Sequence, residues 1–343
     1  MSAADNGAHN AAGRLDERRP MNDIRWGIIG CGDVTERKSG PAFQLAEGSS
    51  LVAVMRRNGA LAADYAHRHN VGKWYDNAEA LINDPQVDAV YVATPPSSHR
   101  DYAMAVAKAG KPVYVEKPMA VNYAQCVEMI NACQECNIPL FVAYYRRALP
   151  RFLKIKALLE EGAIGQVRFA DVVFHRKALQ NDRDRAPNWR VNPDIAGGGY
   201  FYDVACHSID ILQFLLGQVQ SATGYSSNQA KLYAADDIVS GLLVFENLAH
   251  ASFVWDFNAG SDLDRTEIVG DKGKMTFSTF GSDPILLENA QGTDMLTIDN
   301  PHHIQQPLIQ TIVDQLCGRG KCPSTGLTGA RTNWIMDRMT PAH

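Results

Sequence analysis

Five short stretches carry residue types that could act together in one chemistry. Gly30-Cys31-Gly32-Asp33-Val34-Thr35 follows an apolar run and opens a segment compatible with a helix. Glycines at such a junction allow a tight turn and bring backbone N–H groups to a helix N-terminus, where a pyrophosphate is favoured. An ordinary strand–helix turn is the competing reading. The third fingerprint position, usually Gly or Ala, is Thr35, which predicts looser packing of helix on strand. At the end of the second apolar run stand Arg56 and Arg57, and the next acid is Asp64. A site selective for NAD would put an acid there to hold the ribose 2′-hydroxyl; guanidinium groups suit the 2′-phosphate of NADP and stack on adenine. Two solvated surface arginines are the alternative.

Thr94-Pro95-Pro96, with His99 behind it, makes a rigid loop at a strand end, against which a nicotinamide ribose could lie. Without a ligand it reads as a proline turn with a surface histidine. Glu116-Lys117-Pro118 follows the next strand and sets an ammonium beside the same edge, or else a plain turn lysine. The fifth stretch is Gly197-Gly198-Gly199, then Asp203, His207 and Asp210. On an α-helix Asp203 and His207 are i and i+4 and share a face. The rest of that helix (Val204, Ile211, Leu212, Leu215, Leu216) is apolar, so its polar groups need partners. A structural Asp–His pair and a metal site using Asp210 compete with a catalytic reading, although the metal set lacks a softer or fourth ligand.

These groups need a frame to converge. Residues 24–145 alternate apolar strands (24–29, 51–55, 87–93, 112–115, 140–143) with helices (33–46, limited or kinked by Pro41; 60–69; 97–109; 122–136). That pattern predicts an α/β domain with a doubly wound parallel sheet. After residue 146 a helix over 150–161 leads into strands at 167–176, 219–228, 237–246, 249–257, 263–270 and 273–278, the last two joined by a turn at Asp271-Lys272-Gly273. With helices at 200–216, 304–317 and 327–339, this predicts an α+β domain with a large, mostly antiparallel open sheet. The expected division is an extension over 1–20, a dinucleotide-binding domain over 21–146 and a second, α+β domain over 147–343.

The chain of 343 residues is 45% hydrophobic and 21% charged, the composition of a soluble globular protein with core enough for two domains. A net charge of -5 argues against a nucleic-acid surface or a polybasic membrane anchor. No apolar run reaches the roughly 18–20 residues of a membrane span. The first twenty residues are polar, Arg18-Arg19 lacks the context of an export signal, and Met21 is a candidate start. Seven cysteines, an odd number, suit reduced thiols in a cytoplasmic protein. Cys133 and Cys136 form a lone C-x-x-C for which Cys317 and Cys322 make a poor second half, so neither structural metal nor disulfide is expected.

Taken in order and at this spacing, GIIGCGDV at 27–34, EKP at 116–118 and the triple glycine followed by Asp203-x-x-x-His207 resemble the glucose–fructose oxidoreductase / inositol dehydrogenase / rhizopine-catabolism protein (Gfo/Idh/MocA) family, over about residues 22–340. The resemblance implies a Rossmann domain, and the residues read as its cofactor contacts are Gly30, Cys31, Gly32, Asp33, Val34, Arg56, Arg57, Thr94, Pro95, Pro96, His99, Glu116 and Lys117; Met55-Arg56-Arg57 departs from the NAD-type members and points to NADP, with NAD as the alternative. The resemblance implies an open sheet that makes a homodimer or homotetramer. It also implies that Lys117, Asp203 and His207 face the nicotinamide, with His207 as acid/base titrating in the ordinary histidine range, Lys117 stabilising the substrate oxygen and Asp203 orienting the substrate. Tyr145, Arg146, Trp189 and Arg190 are candidates for binding polyol hydroxyls or an acidic group. The expected activity is an NADP-dependent oxidoreductase of a sugar, polyol or related cyclic hydroxy compound, without nucleic-acid or membrane partners. The alternatives are a reductase of a non-sugar carbonyl or imine, an NAD-assisted glycoside hydrolase, and a non-catalytic cofactor-binding sensor.

Overall fold

The computed structural model describes residues 23–340; the expected extension over 1–20 and the candidate start at Met21 lie outside them. Apolar runs become β1 (Ile24–Ile29), β2 (Ser49–Met55), β4 (Ala89–Val92), β5 (Val113–Val115) and β6 (Leu140–Val142), joined by the short β3 (Lys73–Tyr75). They form one sheet in the order β3-β2-β1-β4-β5-β6, every neighbouring pair parallel. β4, β5 and β6 are buried throughout, as strands covered on both faces must be. The order reverses between β1 and β4, and their C-terminal ends open a crevice there.

The second sheet holds β7 (Val167–His175), β8 (Val219–Ser227), β9 (Ile238–Phe245), β10 (His250–Asp256), β11 (Leu263–Gly270), β12 (Gly273–Phe277), β13 (Ile285–Asn289) and β14 (Gly292–Leu296). Its order is β14-β13-β12-β11-β7-β10-β9-β8, antiparallel except where β7 meets β10. Alternate residues such as Val239, Leu243, Phe253, Trp255 and Ile268 are buried, whereas Tyr225, Leu242 and Val254 are exposed. One face is therefore covered and the other open.

The chain then returns. Helix Gln306–Leu316 packs on helix Gly40–Leu45, and helix Gly326–Met339 packs on both β8 and helix Tyr123–Glu135. Thr325 bridges Phe141 on β6, Ser324 Oγ donates to the Val142 carbonyl at 2.7 Å, and Asn333 donates to the Ala120 carbonyl at 2.8 Å.

Two helices differ from expectation. The segment 33–46 is a π-helical turn, Thr35–Ser39, followed by helix Gly40–Leu45, with Pro41 in the latter's first turn rather than at a kink. The segment 200–216 is likewise a π-helical turn, Phe201–Ala205, continued by helix Cys206–Leu216. The sequence reading lacked β3, helix Ala78–Ile82, β13 and β14. Among the described residues no helix is long and apolar enough to cross a membrane.

Candidate active site

A cavity of about 750 Å³ lies along the C-terminal ends of β1, β2, β4 and β5 and reaches across to the π-helical turn at Asp203. Its first end is the fingerprint. Gly30 has φ +93°, and a Cβ there would lie 2.8 Å from Thr94 Cγ2 and 3.0 Å from the Ala93 backbone. Only glycine lets β1 turn this close to β4. At Gly32 the nearest atom to a Cβ would be the Gly30 carbonyl at 3.9 Å, so this glycine faces open cavity. Asp33 and Val34 line the same space. Cys31 also borders it, but its side chain is buried, and burial pushes the thiol up to about 11.

Thr35 corrects the expectation of loose packing. It is fully buried, its hydroxyl donates to the Gly32 carbonyl at 2.8 Å, and its own carbonyl accepts from the Tyr65 hydroxyl at 2.9 Å. Arg56 and Arg57 line the cavity at the end of β2, exposed and, among the described residues, without an ion pair. An open turn at a strand–helix junction fits a dinucleotide.

Thr94, Pro95 and Pro96 form the next wall, fixed by Ser98 Oγ donating to Thr94 Oγ1 at 2.7 Å. His99 does not join them. It is fully buried, with Nε2 2.7 Å from the Thr94 carbonyl and Nδ1 3.1 Å from that of Pro118. It ties the loop after β4 to the loop after β5, and neither lines the cavity nor lies at the surface. Burial, its largest influence, lowers its pKa against those hydrogen bonds. Glu116 borders the cavity but is already engaged by the Tyr91 hydroxyl, by Gln305 Nε2 at 2.7 Å and by the Lys117 N–H at 3.1 Å.

At the far end Lys117 Nζ donates to the Asp203 carbonyl at 2.8 Å and to Asp203 Oδ1 at 2.7 Å. Burial opposes its charge, yet its pKa is raised, chiefly by Asp203. Asp203 stays low for the matching reason: burial is outweighed by Lys117, then Arg190 and Lys38. Arg190 Nε stands 3.5 Å from Asp203 Oδ2. The carboxylate thus faces Lys117 and Arg190, not His207 as an Asp–His pair would require. His207 is buried, packs edge-on to Tyr145 at 5.2 Å, and leaves Nδ1 enclosed without a partner. Burial, then Arg146, Lys117 and Lys38, hold its pKa well below 6.5. The expectation of an ordinary histidine titration is therefore displaced downward.

Tyr145, Trp189 and Arg190 line this end. Arg146 stands behind it, stacked on the Tyr145 and Phe280 rings at 5.0 and 4.6 Å, with Nε donating to the Thr279 carbonyl. Asp210 is buried and paired with Arg147 at 2.8 Å, so it is not shared with Asp203 and His207. Among the described residues no group of three or more His, Cys, Asp or Glu could hold a metal ion, and the seven cysteines are free thiols. Several lining residues escaped the sequence reading, among them Leu61, Tyr102, Lys38 and Gln305. Lys38 had a signal in its place on the segment opened by the fingerprint; Gln305, which Tyr114 holds at 3.0 Å, had none.

Residues 24–144 match the model of the oxidoreductase family with an NAD-binding Rossmann fold, and residues 152–276 match the GFO/IDH/MocA C-terminal domain. The chain belongs to the GFO/IDH/MocA family of oxidoreductases. It is 41% identical to Oxidoreductase P35 of Formosa agariphila, over 92% of this chain and 97% of that one. It is 29% identical to 1,5-anhydro-D-fructose reductase of Ensifer adhaerens, over 89% and 92% of the two chains. Its fold is that of levoglucosan dehydrogenase, solved in complex with NADH and levoglucosan, with a TM-score of 0.83 and 24% identity over 92% of this chain and 96% of that one. As a member of this family the chain is an oxidoreductase with an NAD-binding Rossmann half.

Proposed function

We propose that this GFO/IDH/MocA protein is an NADP-dependent oxidoreductase of a sugar, polyol or related cyclic hydroxy compound. The observation that carries the reading is the meeting of Lys117, Asp203 and His207 at one end of a cavity whose other end is the dinucleotide fingerprint. The nicotinamide, when bound, supplies or accepts the hydride. The chain's residues handle the proton and the charge. His207, held neutral, takes the hydroxyl proton at Nε2, since Nδ1 is enclosed. Lys117 has three N–H donors, of which two go to Asp203; the third is free to stabilise the substrate oxygen as it gains charge. Asp203 fixes the direction of that ammonium. Arg56 and Arg57 read the 2′-phosphate, a role supported by their exposure and by the absence of an ion-pair partner among the described residues.

The division at residues 146 and 147, a homodimer or homotetramer formed through the open sheet face, and a cytoplasmic location belong to the same reading. Exposed Tyr225, Leu242 and Val254 support the oligomer, and seven free thiols support the location. An oxidoreductase of a non-sugar cyclic diol is the second reading. It is favoured by 31% identity to trans-1,2-dihydrobenzene-1,2-diol dehydrogenase of Xenopus tropicalis, over 55% of each chain. A panel of sugars, polyols and cyclic diols, followed by nicotinamide absorbance with NADP and NAD in parallel, tests both. Turnover of a sugar or polyol with NADP is expected; turnover confined to non-sugar cyclic diols, or a preference for NAD, overturns the corresponding part.

A further inference from the structure

We infer that the compound reacting at His207 carries a carboxylate, held between Lys38 and Arg190; this rests on the oxidoreductase reading above and narrows its substrate class to sugar acids. Four cations bear on the reacting end, Lys38, Lys117, Arg146 and Arg190, against two carboxylates, Asp203 and Glu116. Among the described residues neither carboxylate forms an ion pair with Lys38. Glu116 is buried and taken by Tyr91, Gln305 and the Lys117 backbone. Asp203 serves Lys117 closely and Arg190 only at 3.5 Å.

Two cationic groups are left facing the cavity. Lys38 is exposed, lines the cavity and makes no ion pair among the described residues. Its carbonyl accepts from the Gln305 N–H at 3.3 Å, which sets it beside the segment that meets Glu116, and its charge reaches both Asp203 and His207. Arg190 makes no side-chain hydrogen bond among the described residues, and its guanidinium, on a side chain 41% exposed, stacks on Trp189 at 4.5 Å. A planar fork steadied by an aromatic ring is suited to a two-oxygen anion, and a flexible ammonium opposite it adds a second contact. A neutral polyol would leave this surplus charge uncompensated. A bound carboxylate would also offset the cations that depress His207, and so raise the proton affinity of the base when substrate is present.

The test is calorimetric titration of the dinucleotide-loaded protein with matched pairs: D-glucuronate and D-glucose, D-galacturonate and D-galactose, D-gluconate and D-sorbitol. In at least one pair the acid is expected to bind roughly tenfold or more tightly than its neutral partner, since hydrogen bonds to charged groups carry this much, and added salt should erode the preference. Lys38→Met and Arg190→Met should each weaken that acid about tenfold, far more than its neutral partner, with NADP affinity retained. Neutral members binding as tightly in every pair, no acid binding at all, or Lys38→Met losing NADP affinity instead would overturn the inference. Acid binding without any NADP- or NAD-linked turnover would keep the carboxylate site and fell the oxidoreductase reading, so the two failures are distinguishable.

Discussion

Gly30, Gly32, Arg56 and Arg57 come from two adjacent strands and the turns that follow them, all within residues 30–57. The opposite end of the same cavity is gathered from afar: Lys117 and Asp203 are 86 residues apart, Lys38 comes from the first π-helical turn, and Gln305 enters from the segment before the returning helices. The near end is a local device, complete once β1 and β2 pair, and suited to holding a ligand. The far end exists only when both sheets and the chain's last helices are in place. Damage at the first should therefore appear as lost binding, and damage at the second as lost turnover.

The largest expected effect lies at the far end. His207→Ala should lower turnover about 10²–10⁴-fold, the usual contribution of a positioned acid/base, with NADP affinity retained. Lys117→Ala should lose a similar amount, and the double variant much less than the product, because groups acting on one oxygen are non-additive. Single-turnover kinetics on a substrate found by the panel would measure this; near-normal rates in either variant would make the pair structural.

At the near end, Gly32→Val should weaken the dinucleotide roughly a hundredfold, the scale on which misplaced contacts act. A Cβ there meets nothing closer than 3.9 Å, so circular dichroism and Tm should be unchanged. Retained affinity would break the comparison. Replacing Arg56 and Arg57 together by Ala should cost about tenfold or more in NADP affinity and little in NAD; equal losses would remove their assigned role.

The smallest effect is a displacement along the pH axis. His207 is held neutral by burial first and then by Arg146, Lys117 and Lys38. Only the neutral ring accepts a proton, so kcat/KM for oxidation should stay level as pH falls to 6.5 and decline only below it. Arg146→Met removes one of the lowering charges, and the acid limb should move upward, toward 6.5. A wild-type limb at or above 6.5 would contradict the electrostatics. Stability follows the same sign: below about pH 6.5 the unfolded chain binds protons that buried His207 and His99 resist, so stability should fall as pH falls.

Much of the near end was legible in the sequence, because a strand, a glycine turn and a helix are written in consecutive residues. The parallel character of the first sheet and six strands of the second were legible for the same reason. β3, β13 and β14 were not: β3 is three residues long, and β14, mostly exposed, has no buried alternation to read. The π-helical turns are set by partners outside the local sequence. The Thr35 carbonyl accepts from both the Gly40 N–H and the distant Tyr65 hydroxyl, which holds the wider turn in place. His99 was misread because its partners, the Thr94, Pro118 and Met119 carbonyls, are brought around it only by the fold. Residue type, spacing and the family resemblance singled out Lys117, Asp203 and His207 as candidates; that Asp203 pairs with the lysine and not with the histidine is a property of the assembled far end.

The bridge from Thr325 to Phe141 has a consequence for how the molecule is made. β6 is the last strand of the first sheet, and its outer edge is closed by Ser324 and Thr325, residues near the end of the chain. During synthesis the first six strands emerge long before that plug exists. Until Ser324 and Thr325 leave the ribosome, β6 offers unpaired backbone to any passing strand. The dinucleotide-binding half is thus made well before the residues that seal its edge, which marks the nascent chain, more than the finished enzyme, as the species in need of protection from its neighbours.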